Sequence, residues 1–290
     1  MKFKLNTLTL LLLSAPLVAN AGISLEGDNW GDLPQATTDT TPQTVGHFII
    51  GSSATKPSSM TIDNGSVLNV TDTLHIGNNN NNDFSGKVTV TGAGSKLESN
   101  DLINVGNYSN GSLSVLNGGK VTTSYLGQEP TPHFWGWFRH VAPLRTFVKA
   151  DILIDGQGSE LSYAKTSKIR VAGIDNSPNN NTTVNLTISN GGKLSAGTLQ
   201  LEDGTTNIQI GKKSTGGVFD VKEISIAPKR DEGFKNITFT FDQTDNFEFK
   251  PEITAEKSTY KPVNFVQSGT GTTLFAPTSM TNVNSKFDIT

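Results

Sequence analysis

The chain has 290 residues, a formal net charge of −3 and no cysteine. The mild acidity and the lack of a basic block exclude nucleic acid as an expected partner. With neither cysteine nor a His-Glu-x-x-His run, the sequence predicts no transition-metal site and no cofactor. Its 29 glycines, and the lack of any long segment with a 3.6-residue apolar period, favour short strands joined by turns over helices.

The first 21 residues have the three parts of a secretory signal peptide. Two lysines precede the apolar run 8–18, and small residues precede a cleavage position after Ala21. The apolar run is shorter than the about 20 residues needed to cross a bilayer as a helix. We therefore predict export with no helical membrane anchor, and an N-terminal cap at residues 22–46 that covers the first unit of a repeat array.

An internal repeat runs through residues 47–227. Each copy begins with apolar residues two positions apart, passes through a turn and resumes with Val or Leu. The copies are 60–67, 88–97, 113–121, 152–161 and 186–194. One turn position contains only Asn or Gly, the residues that tolerate the left-handed backbone region, so we predict positive φ there. That position is occupied by Asn64, Gly92, Asn117, Gly156 and Asn190.

A second element consists of short strands closed by glycine. Its copies are 49–51, 74–77, 103–106, 125–127 and 208–211, with a looser copy at 169–173. Two short strands cannot bury their own apolar face, so we predict that the units stack into an all-β parallel β-helix, or β-solenoid. A β-sandwich is the alternative. His75 alternates with apolar neighbours and is expected to face outward, and residues 228–290 are predicted to form degenerate C-terminal coils.

The segments 87–97 and 103–121 closely resemble the passenger repeats of type V secretion autotransporters. The resemblance implies a right-handed parallel β-helix that crosses the outer membrane through a C-terminal β-barrel of the same polypeptide. It also implies display at the cell surface or release, and in many members adhesion or aggregation. No segment after residue 228 is long enough for such a barrel. We therefore expect a truncated passenger, part of a split gene or a homologue exported otherwise.

These expectations set the predicted location and partners. The protein is expected at the cell surface or outer membrane, or secreted, and in the periplasm if the barrel is lost. The translocator barrel is expected in trans or in the intact gene. Host or bacterial surface glycans and proteins are the expected ligands.

A β-helical lyase or glycoside hydrolase is the alternative function, and glycoside hydrolysis requires two carboxylates about 5 to 9.5 Å apart. The position before the repeat turn carries acids only at Asp63 and Asp155, in non-adjacent copies. Asp151, Asp155 and Glu160 cluster in the sequence and are interpreted as solvated surface charges. We therefore predict a non-enzymatic surface protein that serves adhesion or aggregation.

An insert at residues 129–150 interrupts the repeat and carries the candidate partner-binding residues. They are Phe134, Trp135, Trp137, Phe138 and Arg139. Tryptophan and arginine are favoured anchors at protein interfaces, and exposed aromatic rings stack on sugars or enter a membrane surface. A loop packed against the repeat array and a local frame disturbance are the two alternatives.

Overall fold

The computed structural model describes residues 22–52, 56–77, 85–106, 109–126, 149–163, 168–171, 182–201, 204–227, 234–256 and 262–290. Within these ranges every regular element is a β-strand and no residue lies in a helix. The strands, in chain order, are β1 (Gly22–Glu26), β2 (Asn29–Gly31), β3 (Gln43–Val45), β4 (Phe48–Ile50), β5 (Ser58–Asp63), β6 (Val67–Val70), β7 (Leu74–Ile76), β8 (Gly86–Thr91), β9 (Lys96–Val105), β10 (Gly111–Leu116), β11 (Lys120–Leu126), β12 (Lys149–Asp155), β13 (Glu160–Tyr163), β14 (Lys168–Val171), β15 (Thr183–Ser189), β16 (Lys193–Leu201), β17 (Gly204–Ser214), β18 (Val218–Ile226), β19 (Phe234–Gln243), β20 (Asn246–Phe249), β21 (Glu252–Ala255), β22 (Val263–Gln267), β23 (Thr272–Phe275), β24 (Met280–Thr281) and β25 (Ser285–Ile289).

Two long sheets contain most of these strands. The first sheet has the order β1-β5-β8-β10-β12-β15-β17-β19-β22-β25. The second has the order β2-β4-β7-β9-β11-β13-β16-β18-β21-β24, with β3, β6 and β14 attached to it, and β20 pairs with β23 in a small third sheet. Between any two successive strands of the first sheet, the chain passes through the second sheet. Each repeat unit therefore contributes to both long sheets.

Strand pairing is parallel except at the N-terminal end. There β1 pairs with β5, and β2 pairs with β4, in antiparallel register. Both antiparallel strands come from the segment 22–46, and they occupy the same end of the two sheets. The strands β1 and β2 thus run against the strands on which they lie, whereas β3, at the end of the same segment, already pairs with β6 in parallel.

The strand register confirms the alignment of the predicted repeat copies. The first apolar residues of the five copies are direct neighbours in the first sheet. They are Met60, Val88, Leu113, Ile152 and Leu186. All five are buried in one continuous apolar core. Because the copies pair in exact register, their equivalent apolar side chains form one continuous buried column.

The predicted left-handed turn position is confirmed in every copy. Its φ values are 48° at Asn64, 90° at Gly92, 52° at Asn117, 92° at Gly156 and 52° at Asn190. Only Gly and, at small cost, Asn adopt this region routinely. The restriction to two residue types therefore has a backbone cause.

The glycine-closed element is confirmed at β4, β7 and β9 of the second sheet, and β11 supplies the strand of the copy 125–127, whose glycine lies outside the described residues. One assignment is wrong. The segment 208–211 belongs to the first sheet, where Ile208 and Ile210 of β17 pair with Leu186 and Ile188 of β15. The local pattern of two isoleucines before a glycine is the same for either sheet. Only the register against the preceding repeat distinguishes the two positions.

Phenylalanine replaces the aliphatic core residues in the last part of the chain. Phe239 stacks on Phe265 with ring centres 5.3 Å apart, and Phe265 stacks on Phe287 at 5.1 Å. Phe249 is fully buried between Phe239 and Phe275, each 5.4 Å away. In the segment 228–290, β19, β22 and β25 thus extend the first sheet and β21 and β24 extend the second. The aromatic stacks come from the first sheet and from the small sheet of β20 and β23.

Candidate functional site

Polar side chains form columns along the outward side of the second sheet. Successive residues of a strand point to opposite faces, and in these strands they alternate with the buried residues Leu97, Val121, Leu161 and Leu194. One column contains Lys96, Lys120, Glu160 and Lys193, and its neighbour contains Glu98, Thr122, Ser162, Ser195 and Asp220. We call these nine residues the polar face.

Ion pairs connect successive strands of the polar face. Glu160 lies 3.7 Å from Lys120 and 3.4 Å from Lys193, and Lys193 lies 3.5 Å from Asp220. Burial lowers the pKa of Lys193, but attraction by Glu160 and Asp220 and the hydrogen bonds to them outweigh it, so the pKa lies above its ordinary value. Exposed pairs of this kind contribute at most about 1 kcal/mol each. The contacts therefore order the surface more than they stabilise the fold.

Asp155 at the repeat turn and Asp151, four residues before it, contact neighbouring polar side chains. Asp155 stands between Leu116 and Ser189 in the first sheet and has no carboxylate neighbour there. Its Oδ1 accepts hydrogen bonds from Ser189 Oγ at 2.5 Å and Asn190 Nδ2 at 2.8 Å. Asp151 pairs with Lys149 at 2.9 Å. These contacts hold the carboxylates against the turn and the sheet surface.

One pair of acids escaped the sequence analysis. Glu223 of β18 and Glu252 of β21 are direct neighbours in register. Glu223 accepts hydrogen bonds from Thr198 Oγ1 and Thr254 Oγ1, both at 3.1 Å, and Glu252 accepts one from Ser279 Oγ at 2.9 Å. The two glutamates lie away from the position before the Asn/Gly turn, where neighbouring acids were expected for an enzyme. The shared Glu-Ile dipeptide at 223–224 and 252–253 was the available signal.

A row of three rings crosses from the antiparallel strand β2 to the parallel strands β4 and β7. Trp30 contacts His47 edge-on with ring centres 5.9 Å apart, and His47 contacts His75 at 5.1 Å. Trp30 pairs with Ile49 across the cap, and Ile49 pairs in turn with His75. Trp30 is 59% exposed whereas His75 is only 9% exposed. His75 thus occupies the outward-facing strand position that was expected, but it is covered.

The environment of His75 is unusual for a histidine. Burial and, to a smaller extent, the neighbouring His47 lower its pKa from 6.5 to about 4, and Asp72 opposes part of the change. Among the described residues, His75 Nδ1 has no hydrogen-bond partner, and neither has Asn104 Oδ1, although both atoms are buried. Asn104 is the direct neighbour of His75 in the next strand. Two buried polar atoms without a hydrogen-bond partner therefore belong to neighbouring residues of adjacent strands.

Several predicted site residues cannot be placed. The candidate partner-binding residues of the insert, Phe134, Trp135, Trp137, Phe138 and Arg139, lie outside the described residues, as does Ala21 at the predicted cleavage position. In the described part of the chain, no three His, Cys, Asp or Glu side chains are grouped so as to hold a metal ion. That part also contains no helix of the length and apolarity needed to span a membrane.

Comparison with known proteins gives no relative: no family model, no curated protein and no solved structure matches the chain.

Proposed function

We propose that the chain is an exported surface protein of the autotransporter passenger type, which serves adhesion or aggregation without catalysis. The observation that carries the proposal is the polar face, an ordered and regularly spaced surface of both charge signs built on a repetitive core. Such a surface suits many weak contacts with another cell surface. An enzyme would instead need a cleft with convergent groups.

The fold proposed for this protein is a right-handed parallel β-helix. The chain returns to the first sheet after each passage through the second, and equivalent residues of successive repeats pair in parallel register. This connectivity is what a solenoid requires. A β-sandwich is disfavoured because it is built largely from antiparallel pairs. The right hand comes from the general preference for right-handed crossovers between parallel strands and from the resemblance to autotransporter passengers.

Export is proposed from the N-terminal sequence and from the composition. The first 21 residues have a signal-peptide pattern with cleavage after Ala21. The chain has no cysteine, so no disulfide could obstruct passage through a translocator barrel. The mature protein is proposed to act at the outer surface.

Display on a bacterial surface tests the function. The chain would be fused to a heterologous translocator barrel, and settling and binding to glycan-coated and protein-coated surfaces would be measured. We expect Lys120→Glu together with Lys193→Glu to reduce aggregation or binding, because they reverse the charges of the polar face. The matched control is Lys87→Glu with Lys286→Glu on the first sheet, which should leave binding unchanged. Equal behaviour of both variants and the parent chain would contradict the proposal.

A β-helical carbohydrate-active enzyme is the second candidate, favoured by the stacked pair Glu223 and Glu252. Neighbouring strands lie about 4.8 Å apart, which is near the carboxylate separation of retaining glycosidases. The purified protein would be assayed for release of reducing ends or unsaturated sugars from a panel of polysaccharides. Activity lost in Glu223→Gln but kept in Glu248→Gln would replace the adhesin proposal, whereas no turnover would remove this candidate.

A further inference from the structure

We propose that His47 and His75 together bind one divalent transition-metal ion of the zinc class, where the cap strands meet the parallel array. Their imidazole rings are in contact across two neighbouring strands, with centres 5.1 Å apart and planes at 66°. His47 directly precedes β4, and His75 lies in β7, which pairs with β4. The inference is independent of the adhesive function.

The ring spacing fits a shared ion. A Zn–N bond of about 2.0–2.1 Å places the metal about 3.2 Å from the centre of an imidazole ring. Two ring centres 5.1 Å apart then subtend an angle of about 105° at the ion, close to the tetrahedral value. The rings can therefore coordinate one ion with little change in their separation.

Two unpaired acceptor atoms point to a ligand at the same place. Buried polar atoms nearly always have a partner, yet among the described residues His75 Nδ1 and Asn104 Oδ1 have none. His75 and Asn104 are direct neighbours in register, so we assign the amide oxygen of Asn104 as a further ligand of an ion bound by His75 Nδ1. A metal ion would satisfy both atoms.

The electrostatics also suit a cation. Burial keeps the pKa of His75 low, so at neutral pH its imidazole is uncharged and has a lone pair available for a metal. Asp72 acts electrostatically on His75 and offsets part of the charge of a bound ion. Two imidazoles and one amide are fewer ligands than the four of a closed structural site, so water would complete an open coordination sphere.

Calorimetric titration of the chelator-treated protein with Zn²⁺ tests the site. We expect one ion per chain, and binding weaker by at least about tenfold in His47→Gln, because a lost ligand costs no less than a lost outer-shell partner. His47 is half-buried, so this variant should fold. His133→Gln with His140→Gln is the control and should bind as the parent does.

X-ray absorption of the zinc-loaded protein identifies the metal ligands directly. Two imidazole nitrogens at about 2.0 Å are expected, and one of them should be lost in His47→Gln. No binding to the parent protein would overturn the proposal. Binding that His47→Gln leaves unchanged, or that the His133 and His140 variant abolishes, would also overturn it by placing the metal elsewhere.

Discussion

His75 should make the folded protein sensitive to mild acid. Its pKa is about 4 in the folded chain against an ordinary value of 6.5. Between these values the unfolded chain binds a proton that the folded chain does not, so stability must fall as the pH falls. The full difference corresponds to about 3 kcal/mol, and about 2.5 kcal/mol of it should already be lost at pH 4.5.

The perturbation that isolates this contribution is His75→Gln, which removes the titrating group and keeps a polar side chain. Urea unfolding would be followed by far-ultraviolet circular dichroism at pH 7 and pH 4.5, with a chelator present throughout. Carboxylates also titrate in this range, but they do so in both proteins. The drop in unfolding free energy between the two pH values should therefore be smaller in the variant by about 2.5 kcal/mol.

The same pH dependence in both proteins would refute the reasoning. It would mean that the His75 ring is hydrated or hydrogen-bonded in solution, so that burial does not disfavour its charged form. A larger drop in the variant would contradict even the sign of the argument.

Three further substitutions test the core, the turn and the polar face by urea unfolding. Phe249→Ala should lower the free energy of unfolding by about 3–5 kcal/mol because the ring is fully buried. Phe287→Ala should lower it much less because that ring is 55% exposed. Equal losses would contradict the stacked aromatic core. Asn117→Ala should destabilise by about 1–2 kcal/mol because φ is 52°, and Asn117→Gly should be nearly neutral; the reverse order would exclude a left-handed turn. Glu160→Gln should cost no more than about 2 kcal/mol, because it removes two exposed ion pairs; a larger loss would mean that the polar face stabilises the fold.

The repeat was predictable because its signals are local. Strand alternation is visible at Val88 and Val90, and the backbone requirement of the turn is visible in the residue types at Asn64 and Asn117. Each such signal depends on a few neighbouring residues and recurs in each unit. The strand and turn signals of one copy are weak, but their recurrence in every copy makes the repeat recognisable.

The contacts that were missed depend on long-range register. The alternation in the segment 74–76 correctly predicts that His75 faces outward. The His75 ring is nevertheless buried, partly because it contacts His47 of the preceding unit. The neighbours Glu223 and Glu252 likewise meet only because two irregular units stack in register. A single chain segment contains no information on which partner lies across the sheet. Ile208 was assigned to the wrong sheet for the same reason.

Successive repeats should stack as one continuous parallel array, and the distance between two spin labels on the first sheet measures this directly. Lys87 and Lys286 are exposed and occupy equivalent positions of β8 and β25, which are seven strand steps apart in the first sheet. The chain has no cysteine, so Lys87→Cys with Lys286→Cys can be labelled selectively. At about 4.8 Å per step, the account predicts a separation of about 34 Å, and about 19 Å for Lys87→Cys with Asn207→Cys, four steps away. Distances that do not grow with the number of steps, or a broad distribution for the longer pair, would contradict a continuous parallel stack.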